Sequence, residues 1–228
     1  VHLIKAEDIE LIDYWLDDPY NRGLVAEGIG EKWMPVLLER QDDHSRQIAL
    51  RLLDCLYKVN FVEKKTGDYE RKEPLLRYDS YHAKKITKNV AKLSGLKLGL
   101  PAVEIFQSRL VSILNEGDKD SWSSIWRQAI EEHDQNGSLD DVDDMIVSAY
   151  RDCLFGFVNN NVQEATDYLR SMFGGQYQTL KRVAIHVVDK QYAALKNLVD
   201  TALLPEYFHD NFRHELWHLL NGHYNEFS

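Results

Sequence analysis

The sequence predicts an all-α protein, built as an irregular α-solenoid of antiparallel helix pairs of the HEAT or TPR kind. Three observations lead there. Apolar residues recur with helical period along almost the whole chain, short turn signals separate the runs, and no segment shows a convincing period of two. The same features also fit a globular all-α domain, because no repeat of fixed length marks a stack. The 228 residues read as one helical region with a weak sub-boundary near 66–76.

The elements are taken in chain order. Asp17-Asp18-Pro19 punctuates the first helical stretch. Ile48, Leu52, Cys55, Leu56 and Val59 then share one helix face. Thr66-Gly67-Asp68 is a turn signal, and the charged stretch from Tyr69 to Arg77 reads as a longer loop. A lysine-bearing helix ends at Gly99-Leu100-Pro101, where Pro101 suits the first turn of the next one. Glu116-Gly117-Asp118 and Asn136-Gly137-Ser138 are further turns, and Ser138 or Asp140 can cap the helix after the second of them. Val142, Met145, Ile146, Ala149, Cys153 and Phe157 line one face of that helix. After Gly174-Gly175, the run Leu180, Val183, Ala184, Val187, Val188, Tyr192, Leu195, Leu198, Val199 and Ala202 keeps one apolar face over about five turns. A last helix is expected between Phe208 and Phe227. The total is about ten helices of roughly 10 to 20 residues.

The net charge of -10, from 27 basic and 37 acidic residues, turns the expected partner away from nucleic acid and anionic membranes. Lys84, Lys85, Lys88, Lys92 and Lys97 form the one candidate basic patch, and a solvated helix face is the favoured reading of them. Cys55 and Cys153 both fall on apolar helix faces, as buried free thiols do, which fits a reducing cytoplasm. No apolar run is long enough to span a bilayer. The chain opens at Val1 and stops at Ser228 straight after a helical pattern, so a segment of a larger multidomain protein is expected.

One stretch names a reaction. His214-Glu215-Leu216-Trp217-His218 is an H-E-x-x-H, which sets two imidazoles one turn apart to hold zinc, with the Glu as general base toward a metal-bound water. On a helical wheel His214 and His218 lie about 40° apart, on the side away from Leu216, beside Asn211, Asn221 and Asn225. A zinc site needs a third protein ligand, and the positions where an extended motif would carry Gly and His hold Asn221 and Tyr224. Gly222 and His223 are near misses. A zinc metallopeptidase is therefore the alternative reading, and a polar solvated helix face the favoured one.

Other patterns carry less chemistry. Asp134, Asn136, Asp140, Asp141, Asp143 and Asp144 lack the glycine and glutamate spacing of a calcium loop and suit an acidic helix N-terminus. Gly28-Ile29-Gly30 is not followed by a phosphate-binding sequence and reads as a turn. Gly174-Gly175-Gln176 reads as a helix C-terminus. No catalytic triad pattern stands at local spacing, and no cofactor is expected.

The stretch from Asp120 to Asn136 reads as a short amphipathic helix with Trp126, Ile130 and His133 on one face and Glu131-Glu132 off it. It also resembles a segment in the long helical C-terminal regions of large bacterial STAND-type NTPases, including those of antiphage defence. Met145 to Asp152, Arg182 to His186, and His214 to Leu220 resemble later helices of that family. The resemblance covers the second half of the chain well and the first half loosely. It implies an effector, such as a nuclease, and a central ATPase outside this chain, which has no Walker motif. It further implies that this helical part senses a foreign protein, typically a phage virion-assembly component, and that binding triggers oligomerisation. The expectation is then a cytoplasmic, non-catalytic recognition and scaffolding segment, with Trp15, Trp33, Trp122 and Trp217 as candidate contacts or core anchors.

Overall fold

The computed structural model describes residues 6–40, 42–66, 69–132 and 141–227. It is dominated by helices. The first half holds α1 (Ala6–Leu16), α2 (Arg22–Glu27), α3 (Met34–Glu39), α4 (Asp43–Leu56), α5 (Ser80–Leu98) and α6 (Leu100–Gly117). The second half holds α7 (Ser123–Trp126), α8 (Val142–Asn160), α9 (Val162–Gly174), α10 (Gln178–Lys190), α11 (Tyr192–Leu195), α12 (Val199–Ala202) and α13 (Arg213–His223).

Local chemistry sets many of the boundaries. Asp42 caps α4 by accepting from the Ser45 N–H at 2.8 Å, and Asp79 caps α5 through the His82 N–H at 3.1 Å. Gly99, at φ +69°, ends α5 and lets α6 begin at once, with Pro101 in its first turn as expected. Asn161 caps α9 through Glu164. The start of α10 is capped from a distance. Both oxygens of Asp120 accept from its first amides, Gln178 N–H at 2.8 Å and Thr179 N–H at 2.9 Å. The expected caps Ser138 and Asp140 lie outside the described residues.

Helix α5 lies along α8 at the centre of the molecule, with α6 also on α8. The crossing is close because glycines face it. A β-carbon on Gly95 would overlap the Cys153 carbonyl, and one on Gly156 would overlap the Lys92 carbonyl. Ile86, Val90, Ala91, Phe106, Ile146, Ala149, Leu154 and Phe157 fill the surrounding core. From there α9 packs on α8 and α10, and α10 on α13.

Three expectations need correction. The stretch 59–76, read as a helix end and a charged loop, is an antiparallel hairpin of β1 (Val59–Thr66) and β2 (Tyr69–Leu76), paired from Val59↔Leu76 to Thr66↔Tyr69. Its outer part is charged on both faces, with Lys64 paired to Glu73, so no apolar alternation betrays the strands. The single helix expected over Leu180 to Ala202 is broken into α10, α11, a 3₁₀ turn and α12. Its apolar face persists through the breaks, since Leu195, Leu198 and Ala202 are all buried. Among the described residues, the amphipathic helix expected from Asp120 shrinks to the four residues of α7, because Arg127 leaves helical geometry at φ -131°, ψ 96°, while His133 lies outside the described residues.

No helix among the described residues is long and apolar enough to cross a membrane. Cys55 and Cys153 are free thiols, and Cys153 is buried. Burial pushes the Cys55 thiol up to about 11, which makes it a weak nucleophile.

Candidate functional site

Residues 127–132 run as a bent, non-helical belt between α7 and α8, and charged side chains replace the helix hydrogen bonds that the belt gives up. Arg182 of α10 donates to the carbonyls of Arg127 at 2.8 Å and Gln128 at 3.0 Å. Glu215 of α13 accepts the Ile130 N–H at 3.2 Å. The Ile130 carbonyl accepts from Arg127 at 3.0 Å and from Arg151 of α8 at 2.9 Å. Buried backbone groups need such partners, and here each partner is ionised, which strengthens the bond.

The charges are themselves paired. Arg182 grips Glu215 with two nitrogens, at 2.8 and 3.1 Å, and both side chains are fully buried. Arg127 pairs with Asp144 at 2.7 Å, again buried. Ser148 accepts from Arg127 and donates to Glu132, while Arg151 holds Glu132 at 3.1 Å. Burial pushes the Asp144 carboxyl up against the opposing pull of Arg127.

This network fixes the meaning of the H-E-x-x-H. His214 and His218 project together from α13, half-buried, with ring centroids 4.7 Å apart. Glu215 points the other way. A general base must reach a metal-bound water, and this carboxylate is instead held in the core by Arg182 and Ile130. The third acidic group comes from the belt. Glu131 Oε1 lies 3.4 Å from His214 Nε2 and 3.2 Å from His218 Nε2. On its other oxygen Glu131 meets Lys190 at 3.7 Å, and Lys190 is anchored by Asp189 at 2.9 Å. Burial would raise Glu131, but His218, Lys190 and His214 outweigh it and hold the carboxyl below the usual carboxylate range.

A cleft of about 740 Å³ opens beside the two histidines. Ser124, Gln128, Arg182, Asn211, Arg213 and Trp217 are among its walls. Trp217 stands edge-on to His218 at 4.9 Å and is 58% exposed. Phe208, at 57% exposed, lies with Trp217 and Leu220 around an adjoining hollow. Trp122 and Ile125 project into solvent from α7 and the turn before it, and Ser124 of α7 bonds to Asn211 at 3.2 Å.

The remaining sequence candidates disperse. Lys85 pairs with Glu27 and Glu31 at 2.9 Å, and Lys97 with Glu39 at 3.3 Å, so acidic partners answer this part of the basic patch. In the acidic stretch Asp143 pairs with Lys119 and Asp144 with Arg127, while Asp134, Asn136 and Asp140 lie outside the described residues. Gly28-Ile29-Gly30, read as a turn, instead opens a π-helical segment, Gly28–Trp33, that joins α2 to α3, and Gly30 abuts Ile86 there. Gly175 ends α9. His223 is remote from the histidine pair in role, stacking on Tyr192 at 3.9 Å and meeting Asp189 at 3.2 Å. Trp15 is exposed and Trp33 packs against the core.

Sequence reasoning missed Glu131 as a neighbour of the histidines, and it missed the Arg182–Glu215 pair. The first is 83 residues from His214, a separation at which no local spacing gives a signal. In comparisons with known proteins, the chain matches no family model, no curated protein and no solved structure. Four separate stretches of the second half meet in space. Arg127, Arg151, Arg182 and Glu215, one from each, belong to the same buried network.

Proposed function

We propose that the chain is a non-catalytic protein-recognition and scaffolding segment of a larger bacterial STAND-type NTPase of antiviral defence. Its irregular helix pairs would form part of a solenoid continued by the rest of the parent. The partner is a foreign protein, a virion-assembly component of a phage.

The observation that carries the reading is the apolar rim on a rigid charged base. Trp217 and Phe208 stand exposed at the cleft, with Trp122 and Ile125 exposed on the adjoining stretch around α7. Large apolar side chains exposed on neighbouring elements mark interaction surfaces, and tryptophan is the commonest energetic anchor in them. Beneath the rim, the paired arginines lock the belt, so little ordering entropy is left to lose on binding. The burial of Glu215 supports a non-catalytic role for the same motif.

The test uses the parent protein co-expressed with individual virion-assembly proteins. The paired change Trp217→Ala with Phe208→Ala is expected to weaken capture by roughly tenfold or more, and to lower partner-stimulated ATP hydrolysis in step. Capture undiminished by these changes, or by deletion of residues 1–228, overturns the reading.

A further inference from the structure

We propose that Glu131, His214 and His218 form a binding site for one divalent transition-metal cation of the zinc class, which clips the 127–132 belt to α13 without hydrolysing peptides. This site does not depend on the recognition function proposed above.

The cluster has the size of a metal site. A tetrahedral zinc ion takes nitrogen at about 2.0–2.1 Å and carboxylate oxygen at about 2.0–2.2 Å, so its ligand atoms stand about 3.3 Å from one another. Glu131 Oε1 stands 3.4 Å from one imidazole nitrogen and 3.2 Å from the other. One ligand atom from each of the three residues lies within 4.8 Å of the other two. An ion therefore fits after side-chain adjustment, with no backbone movement. The donor set of two imidazoles and one carboxylate is that of open zinc sites, and it also suits cobalt and nickel.

The three side chains are also preorganised. His214 and His218 sit on one helix face at a spacing of four, and Glu215 between them ties that helix to Arg182 in the core. Glu131 follows Ile130, whose N–H and carbonyl are both held by buried charged groups. The two halves of the site therefore come from rigid supports. Lys190 approaches Oε2, which favours monodentate use of Oε1. The cleft beside the histidines leaves a fourth position for water or a partner's side chain.

The fold separates binding from hydrolysis. Peptide cleavage by a zinc-bound water needs a base beside it, and the motif's glutamate is turned into the core. The structure thus keeps the metal-gripping half of the H-E-x-x-H geometry and commits the other half to the fold.

The experiment is a cobalt and zinc titration of the full chain at pH 7.5, followed by visible absorption and calorimetry. One cobalt per chain with the absorption bands of a four- or five-coordinate site is expected, displaced by zinc, with a metal-dependent rise in melting temperature. Glu131→Gln and His218→Ala should each weaken binding on the order of 100-fold, and each metal-free variant should still melt in one cooperative transition. His44→Ala, an exposed histidine elsewhere, should leave binding intact. Absence of saturable binding overturns the proposal, and so does binding unaffected by Glu131→Gln, which would signify adventitious capture by histidines alone. Peptide cleavage by the zinc-loaded chain, lost in His218→Ala, would overturn the non-hydrolytic assignment.

Discussion

At the crossing of α5 and α8, two glycines let backbones touch: Gly95 meets the Cys153 carbonyl and Gly156 the Lys92 carbonyl, inside a shell of Val, Ile and Phe. At the 127–132 belt, the backbone is held by three arginines and a glutamate that reach in from α8, α10, α13 and the belt itself. The first region is specified by shape and the second by charge. Shape tolerates no added volume, whereas charge tolerates no lost partner. The two regions should therefore fail under different substitutions, and that difference can be measured.

The largest effect is expected at Arg182. Arg182→Met removes the partner of a fully buried carboxylate and the donor to two belt carbonyls, and should cost about 3–5 kcal/mol in urea unfolding. Adding Glu215→Leu should cost less than the sum of the two single changes, with a coupling of about 1–3 kcal/mol, because the stranded charge goes with it. Strict additivity would mean that the ion pair is not the element holding the belt.

The packed crossing comes next. Gly156→Ala should destabilise by about 3 kcal/mol, since the obstacle is a backbone carbonyl that cannot rotate away. Gly28→Ala gives the contrast. It is also helical, and a β-carbon there meets nothing within 4 Å, so stability should rise by about 0.5 kcal/mol through the unfolded state. Equal effects at the two glycines would break the distinction between shape and propensity.

The same contrast explains what was legible. Regions held by apolar shape leave a period in the sequence. Met145, Ile146, Ala149, Cys153 and Phe157 are all buried on α8, as their spacing predicts. The exposed part of the hairpin left none, because its Lys and Glu pairs satisfy strands without apolar alternation. The belt misled the reading more deeply. Trp126 and Ile130 do share a helical spacing, but the buried ion pairs of Arg127 outweigh that local preference and take the chain out of the helix. For the site, the sequence offered His214 and His218 on one face, and that is where they stand. The opposing positions of Glu131 and Glu215 were beyond it. One depends on contact across 83 residues and the other on a partner in α10.

The last effect concerns protons at the border of the two regions. His186 of α10 is buried against Phe155, at 5.8 Å, and shares its surroundings with Arg151, Lys190, Lys92, Glu131 and Glu132. Burial, with Arg151 and Lys190 adding like charge, holds its pKa well below the ordinary 6.5. The folded chain therefore keeps this imidazole neutral while the unfolded chain protonates it near 6.5. Below that pH the unfolded state binds more protons, so stability falls as pH falls, by about 1.4 kcal/mol per unit until the folded value is reached. The loss from this group starts as the pH falls through 6.5 and grows until the folded value is reached. His186→Leu should flatten the acid limb between pH 6.5 and 5, as read from urea midpoints at each pH. Glu131 contributes to acid loss in the same sense but lower, since its depressed carboxyl protonates only below the usual carboxylate range. A residual slope below pH 4.5 in the His186→Leu variant would belong to it and to the other paired carboxylates. An unchanged slope between 6.5 and 5 would show that His186 protonates where it stands, with the carboxylates of Glu131 and Glu132 stabilising the imidazolium.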